Sequence, residues 1–593
     1  MVPTRSRGRT LAFVVAIELV VGAVIWFANA PPTTNYDAVS ASCPSKPPPP
    51  PAVTLKALRD AERSCVVVIE TADGETSIKG ARELCAGGIR DATPLIGKRV
   101  TYTKNQAGVA SIAREQSKHT LTDDLIPIGI LIAVIAIVMV RLPRVELGHS
   151  LAFRRRRLLN WLPLGLTYSF LYFGRYNIKQ FQGIGLTEIE YGTVFGVGSA
   201  VYGLSFLLNG PLTDRWGGRT TIMIAAAGSA AANALMGYMA MTRNMFGMSP
   251  VVAFSIAYAI NMYFQSFGAV SIVKVNGSWF HLRERGTFAG IFGILISLGL
   301  YFAYDVGKRI TEHMDVEWLF FIPAIVLAVF LKLSYLFVRN QPSDAGHPDF
   351  DLGDATSAAG PRLGVLQIFI KLITHPVILV LSFIELCSGF LRQAILQWGV
   401  DFGRGLKLDK SGDFLDSFVF QNWGMVSCIA GITGGMFAGA ISDHLFQSRR
   451  SPVSGVLYAI MLAGSIAILP LFAAPGAIGW VVAFMSMAII GVHGMLTAVA
   501  SADFAGKANT GMAVGIIDGF VYIGSTVQSF LYGAMLPASK IRDANDCLVA
   551  NPEAGKIENW SIWPIAMIPA ALIGFALTLK IWNAKPTRGG GGH

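Results

Sequence analysis

Runs of about twenty apolar residues, enough to cross a bilayer as helix, recur from one end of this chain to the other. Hydrocarbon offers the backbone no hydrogen-bond partner, so segments of this kind satisfy themselves as helices. Of 593 residues, 53% are hydrophobic and 14% charged, where soluble domains carry about 25% charged residues. The expected class is an all-α polytopic membrane protein whose first partner is the lipid bilayer.

The net charge of +11 could point to nucleic acid, but its distribution points away from it. Arg5, Arg7 and Arg9 precede the first apolar run, and Arg154, Arg155, Arg156 and Arg157 precede a later one. Basic residues between spans follow the positive-inside rule, so no nucleic-acid partner is expected. The rule places both termini in the cytoplasm of an integral plasma (bacterial inner) membrane. The first run, Leu11–Ala30, reads as an uncleaved anchor in preference to a signal peptide ending at Ala28-Asn29-Ala30.

About fourteen spans fall into blocks. A membrane helix occupies 1–30. A small β-rich extracytoplasmic domain with a Pro47–Pro51 spacer occupies 31–124, and a second extra helix with a basic linker occupies 125–157. Six helices follow over 158–339, a polar cytoplasmic linker over 340–371, and six more helices over 372–583. The tail 584–593, with Gly-Gly-Gly-Gly-His, reads as an expression scar. In the small domain Cys65–Glu70 and Lys98–Tyr102 read as strands around an Ala72-Asp73-Gly74 turn. In an oxidising compartment Cys65 with Cys85 is the most economical disulfide, leaving Cys43 free or paired with Cys547. The domain could dock an envelope partner.

The two six-helix blocks repeat. Gly210-Pro-Leu-Thr-Asp214-Arg215 is echoed by Gly439-Ala-Ile-Ser-Asp443-His444, and Gly286–Gly293 by Gly511–Gly519. Ahead of the first pair lie Arg175 and Arg392, each inside the first apolar helix of its block. A helix-central arginine costs roughly 2.5–3.5 kcal/mol on insertion scales and stays charged, so each is expected to face a polar cavity. Duplicated bundles with a midplane site are a transporter architecture, and two guanidinium groups can grip a phosphate-like dianion bidentately.

The segment Gly210-x-x-x-Asp214-Arg215-x-Gly217-x-Arg219 is similar to the loop signature of the major facilitator superfamily. Over about 158–583 the chain more closely resembles the organophosphate:phosphate antiporters, the glycerol-3-phosphate and hexose-phosphate transporters. That resemblance implies 6+6 helix bundles and phosphate binding by Arg175 in Gly174-Arg175-Tyr176-Asn177 and Arg392 in Phe390-Leu391-Arg392-Gln393. Gln265, Lys274, Trp279-Phe280, Glu284-Arg285-Gly286 and Tyr522 are supporting matches. Two positions depart from it: Phe206 follows Tyr202-Gly203-Leu204-Ser205 where those carriers have lysine, and Leu295 aligns with their histidine.

Tyr168, Tyr172, Arg175 and Lys179 share a helix face, which adds Lys179 and Tyr172, with neighbouring Tyr176, to the substrate candidates. Gln397 and Tyr522 could complete the lining. Asp518, Glu385 and His493 are candidates for coupling or ion pairing; Glu385 lies too far along the helix from Arg392, about 10.5 Å of rise, for direct contact. Gly210, Asp214, Arg215, Gly217, Arg219 and Asp443 would form a conformational latch. No metal spacing, nucleotide loop or nucleophile–base set is present, so no enzyme, metal or cofactor is expected. The expected activity is secondary transport of a small phosphorylated or other dianionic metabolite, by exchange with inorganic phosphate through rocker-switch alternating access. A sugar-phosphate sensor signalling through a partner, or a proton-coupled organic anion symporter, are the alternatives.

Overall fold

The computed structural model describes residues 52–583 except 62–63, 72–73, 81–83, 86–95, 98, 105–109, 115–120, 142–146, 282–283, 351–364, 409–413, 447–449, 495, 497–509 and 544–547. The membrane helix expected over 1–30, the proline spacer, Cys43, Cys547 and the tail lie outside the described residues.

The first described unit is a barrel. Its strands are β1 (Ala52–Ala61), β2 (Ser64–Thr71), β3 (Gly74–Gly80), β4 (Arg99–Lys104) and β5 (Ala110–Arg114). They close in the order β1-β2-β3-β5-β4, with β3–β5 parallel and the other pairings antiparallel. That order is the five-stranded Greek-key topology of an OB-type barrel. The period-two pattern of a strand buries Cys65, Val67 and Ile69 of β2 against Val53, Leu55, Ile78 and Val100. Cys65 and Cys85 are joined in a disulfide with Cα atoms 5.6 Å apart.

Helix α1 (Leu121–Arg141) follows, then the first bundle: α2 (Leu151–Tyr176), the short α3 (Ile178–Phe181), α4 (Glu188–Trp216), α5 (Gly218–Thr242), α6 (Pro250–Trp279), α7 (Arg285–Tyr301), α8 (Gly307–His313) and α9 (Trp318–Phe337). The second contains α10 (Val365–Ile373), α11 (Pro376–Leu396), α12 (Trp398–Gly405), α13 (Phe414–Gln421), α14 (Trp423–Leu445), α15 (Arg450–Ile468), α16 (Ile478–His493), α17 (Thr510–Met535) and α18 (Ile562–Lys580). Local chemistry sets the starts. Ser150 Oγ accepts from Phe153 N at 3.2 Å, Thr187 and Glu190 form a capping box, and Pro250 and Pro376 occupy first turns.

Seven helices among the described residues are long and apolar enough to cross a membrane, or eight if a bent pair within Glu188–Trp216 is one span. About fourteen were expected. Among the long helices outside the seven, α2 carries Arg154–Arg157 and Arg175, and α7 has only 17 residues.

The repeat has spatial counterparts. Gly210–Arg215 ends α4 and Gly439–His444 ends α14, while Gly286–Gly293 opens α7 and Gly511–Gly519 opens α17. The two bundles meet where α4 packs on α17 and α7 on α14. Small residues permit the close packing within the second bundle: a Cβ on Gly389 would strike Val521 O, and one on Gly524 would strike Leu386 O. Leu131 and Val138 of α1 are buried with Ile294 of α7 and Met425, Cys428 and Ile432 of α14, so α1 lies over the seam between bundles.

Candidate functional site

Arg175 is in the last turn of α2, fully buried. Its Nε donates to Gln265 Oε1 and its Nη1 to Tyr522 Oη, both at 2.8 Å. The guanidinium carbon lies 4.3 Å from the Tyr202 ring centroid, 4.6 Å from Tyr172 and 5.9 Å from Tyr522. Such cation–π contacts contribute about 2 kcal/mol each when desolvated, which helps α2 carry a buried cation. Gln265 is held in the orientation that presents its carbonyl, because its Nε2 donates to Asn261 Oδ1 at 3.0 Å and Ser229 Oγ at 3.1 Å. Asn261 and Asn233 donate in turn to Gly174 O, and the Tyr258 hydroxyl donates to Arg175 O. Residues from α5 and α6 thus fix both the backbone and the head group of Arg175.

Arg392 lies about one turn before the C-terminal end of α11 in the other bundle, and its guanidinium carbon is 5.9 Å from the centroid of the same Tyr522 ring. The two guanidinium carbons are therefore no farther apart than twice that distance. Arg175 Nη2, Arg392 Nε and Arg392 Nη2 are buried with no hydrogen-bond partner among the described residues. An unmet buried donor costs about 1–3 kcal/mol, more when charged. Gln393 Oε1 and Ser388 Oγ on α11 are buried and unpartnered as well, while Gln393 Nε2 donates to the Tyr176 hydroxyl at 3.2 Å. The result is a desolvated group of two cations, four tyrosines and amides drawn from both bundles, with donors left for an anion.

Lys179 has a different setting. Its Nζ donates to Asp401 Oδ2 and Gln182 Oε1, each at 2.6 Å, and lies over the Tyr191 and Trp398 rings. The sequence stripe suggested an anion ligand; the structure gives Lys179 a carboxylate from the opposite bundle. Gln397, expected in the substrate lining, accepts from the Tyr191 hydroxyl in this same layer. Further bundle-to-bundle bonds follow at this end. Arg404 donates to Gln180, Ser539 to Glu188 and Arg542 to Glu190. Asp305, on the π-helical turn Phe302–Val306 after α7, accepts from Gly424 N and Met425 N at 2.8 Å each, capping α14 across the seam.

The latch residues lie at the other end. Asp214 pairs with Lys274 of α6 at 2.7 Å, both exposed. Gly217 takes φ +82 at the α4–α5 turn, a left-handed conformation suited to glycine, and Asn340 sits where a Cβ would go. Arg219 donates to Tyr335 O at 2.7 Å and its N–H to Asn340 Oδ1. These contacts stay inside the first bundle. Gly210 has open space around it, and Arg215 is next to Asp214 at the end of α4. The Asp443 side chain lies outside the described atoms. Arg157 grips Glu284 through two bonds of 2.9 and 3.0 Å, tying the basic start of α2 to the N-cap of α7.

Among the coupling candidates, Glu385 of α11 and His493 of α16 come together: His493 Nδ1 is 3.2 Å from Glu385 Oε2. Asp518 is half-buried on α17, one turn before Tyr522. Sequence reasoning missed Tyr202, Tyr258, Asn233, Asn261 and Asp401. Tyr202 stood in plain view in the Tyr-Gly-x-Ser run; the others carry no local signal.

A model of the Major Facilitator Superfamily matches residues 157–529. The chain is 27% identical over 399 residues to the glycerol-3-phosphate transporter of Bacillus subtilis (strain 168), covering 63% of this chain and 85% of that one. It is 24% identical over 477 residues to the membrane sensor protein UhpC of Escherichia coli (strain K12), covering 75% and 95% respectively. A probable hexose phosphate transport protein of Chlamydia trachomatis serovar D is 22% identical over 448 residues, covering 71% and 90%. In fold, the chain is similar to a bacterial homolog of the human lysosomal transporter Spinster solved in an inward-facing, unoccupied conformation. There the TM-score is 0.55 at 14% identity, covering 74% of this chain and 100% of that one.

Proposed function

The chain belongs to the Major Facilitator Superfamily, an integral membrane protein and not an enzyme, and from that premise we propose that it carries a small phosphorylated or similarly dianionic metabolite in exchange for inorganic phosphate. The observation that carries this reading is the set of unmet guanidinium donors on Arg175 and Arg392, one from each bundle and both against Tyr522. A phosphate group supplies the acceptors these donors lack, and bidentate arginine contacts suit it. Relatives named for glycerol 3-phosphate and hexose phosphate transport support the phosphorylated class.

Alternating access follows from the same residues. An empty site leaves two buried cations facing each other, a state that opposes bringing the bundles together; a dianion removes that cost, so the loaded carrier crosses more readily than the empty one. Positive-inside orientation puts both termini in the cytoplasm of a bacterial inner membrane. The end holding Lys179–Asp401 is then extracytoplasmic and closed, and the disulfide-bearing barrel stands on that oxidising side. An envelope protein docking on the barrel fits this placement.

Purified protein is expected to gain thermal stability with inorganic phosphate and with phosphate esters, while Arg175→Lys and Arg392→Lys do not respond. Phosphate-loaded proteoliposomes are expected to take up a labelled ester by counterflow. Binding without counterflow would favour a sugar-phosphate sensor, a second reading supported by the UhpC relative and by the barrel linked to α1 on the bundle seam. No response to any phosphate compound would reject both.

A further inference from the structure

Glu385 is a fully buried carboxylate in the middle of a helix bundle, and its partner is an imidazole instead of a lysine or arginine. Oε2 faces His493 Nδ1 at 3.2 Å, and Oε1 is buried with no hydrogen-bond partner among the described residues. The pair therefore leaves one buried carboxylate oxygen as an open acceptor beside an imidazole. His493 is in the last turn of α16, and its side chain keeps 26% of its surface accessible. His493 is thus the more accessible member of the pair. Toward the anion site, Glu385, Ser388 and Arg392 are spaced three and four residues apart on α11, which puts them on one face. Ser388 Oγ, between them in sequence, is buried with no hydrogen-bond partner among the described residues.

The titratable neighbours come from each element around the pair. Tyr458 of α15 donates its hydroxyl to Ile384 O, Cys387 and Arg392 share α11, and α17 packs along α11 carrying Asp518 and Tyr522. No lysine or arginine forms an ion pair with Glu385 among the described residues.

We propose that Glu385 and His493 form a proton-binding site that loads one proton when a doubly charged phosphate compound occupies the arginine pair. The inference rests on the carrier reading and deepens it. With Glu385 ionised and His493 neutral, Arg175, Arg392 and Glu385 sum to one positive charge, which matches a phosphate monoanion. With Glu385 protonated they sum to two, which matches a dianion. The step is a proton transfer only: a hydronium ion gives a proton to imidazole Nε2 and becomes water, the Nδ1–H bond breaks as the Glu385 Oε2–H bond forms, and His493 is left neutral as its Nε2–H tautomer. The site would thus let one carrier take a dianionic ester with a proton one way and monoanionic phosphate the other, without net charge movement.

The test is proton uptake on ligand binding by the full-length purified protein, in weak buffer with an indicator dye, normalised to bound ligand. Inorganic phosphate and glycerol 3-phosphate are the probes. Ionisation of the probe itself is common to all proteins tested and cancels in differences. The wild type is expected to take up about one more proton per bound ester than Glu385→Gln, and its affinity to rise about tenfold per pH unit lowered relative to that variant. His493→Gln, at a partly exposed position, is expected to lose the same uptake and keeps the test decisive if Glu385→Gln does not fold. Wild-type uptake retained in either folded variant overturns the proposal. Wild-type protein that binds neither probe rejects the phosphate-carrier reading itself, and the proton site falls with it; bound probe with unchanged uptake rejects the proton site alone.

Discussion

Two cationic centres lie at different levels of the same interface, and they are built on opposite principles. Lys179 is buried and saturated: Asp401, Gln182 and two aromatic rings surround its ammonium group. Arg175 and Arg392 are buried and left partly unmet, with three guanidinium nitrogens that have no acceptor among the described residues. Both centres draw residues from both bundles. The saturated one holds the bundles together in the absence of ligand, whereas the unmet one favours whatever brings negative charge. Burial of a cation does not by itself mark a ligand site; at Arg175 and Arg392 the added observation is unmet donors from both bundles against one tyrosine.

The contrast can be broken at either centre. The largest effect is expected at Lys179. Lys179→Met leaves Asp401 buried and unpaired, costing about 3–5 kcal/mol of stability, and thermal melting should show it. The double variant Lys179→Met, Asp401→Leu should recover most of that loss. If the single change is silent, the pair is not holding the bundles. Next comes Arg392→Ala, which removes about two charge-assisted bonds to a phosphate at roughly 1.5 kcal/mol each, a loss near 100-fold in phosphate affinity by calorimetry. Equal phosphate loss in the Lys179–Asp401 double variant would erase the distinction between the two centres. Gln265→Ala should cost less, about tenfold in affinity, because it misaligns Arg175 without removing a cation. Asp214→Asn is expected to be smallest. Its pair with Lys274 is exposed, and such pairs contribute about 0–1 kcal/mol, so both melting and phosphate binding should stay within error.

Arg175 and Arg392 were legible in the sequence because an intramembrane cation is costly enough to require a reason, and Gln265 and Tyr522 followed from the family resemblance. Tyr522 proved to bond one arginine and face the other. Asn233 and Asn261 were not legible. An asparagine in an apolar helix looks the same whether it supports a site or joins two helices, and only their shared bonding to Gly174 O separates the cases. Asp401 was missed because its partner is 222 residues away. Lys179 was misjudged as to partner for the same reason: helical spacing puts it on the Arg175 stripe but says nothing of the carboxylate that arrives from α12. The bundle order could be read from the repeat, since its landmarks fall at matching helix ends. The barrel's strand order could not, since β3–β5 pairing joins segments whose relation no local pattern encodes.

Helix α1 gives this interface a property that two six-helix bundles alone would lack. A joint between two bodies has a single contact line to break. Here Leu131 and Val138 are buried in one cluster with Ile294 of α7 and Met425, Cys428 and Ile432 of α14, so the joint has three bodies. Any swing that parts α7 from α14 must also strip α1 from one of them and uncover apolar surface, at about 25 cal/mol per Å². The barrel ends at Arg114 and α1 begins at Leu121, a tether of at most about 25 Å when fully extended. A load borne by the barrel is therefore in mechanical series with the seam, and the stiffness of the swing depends on what the barrel is attached to.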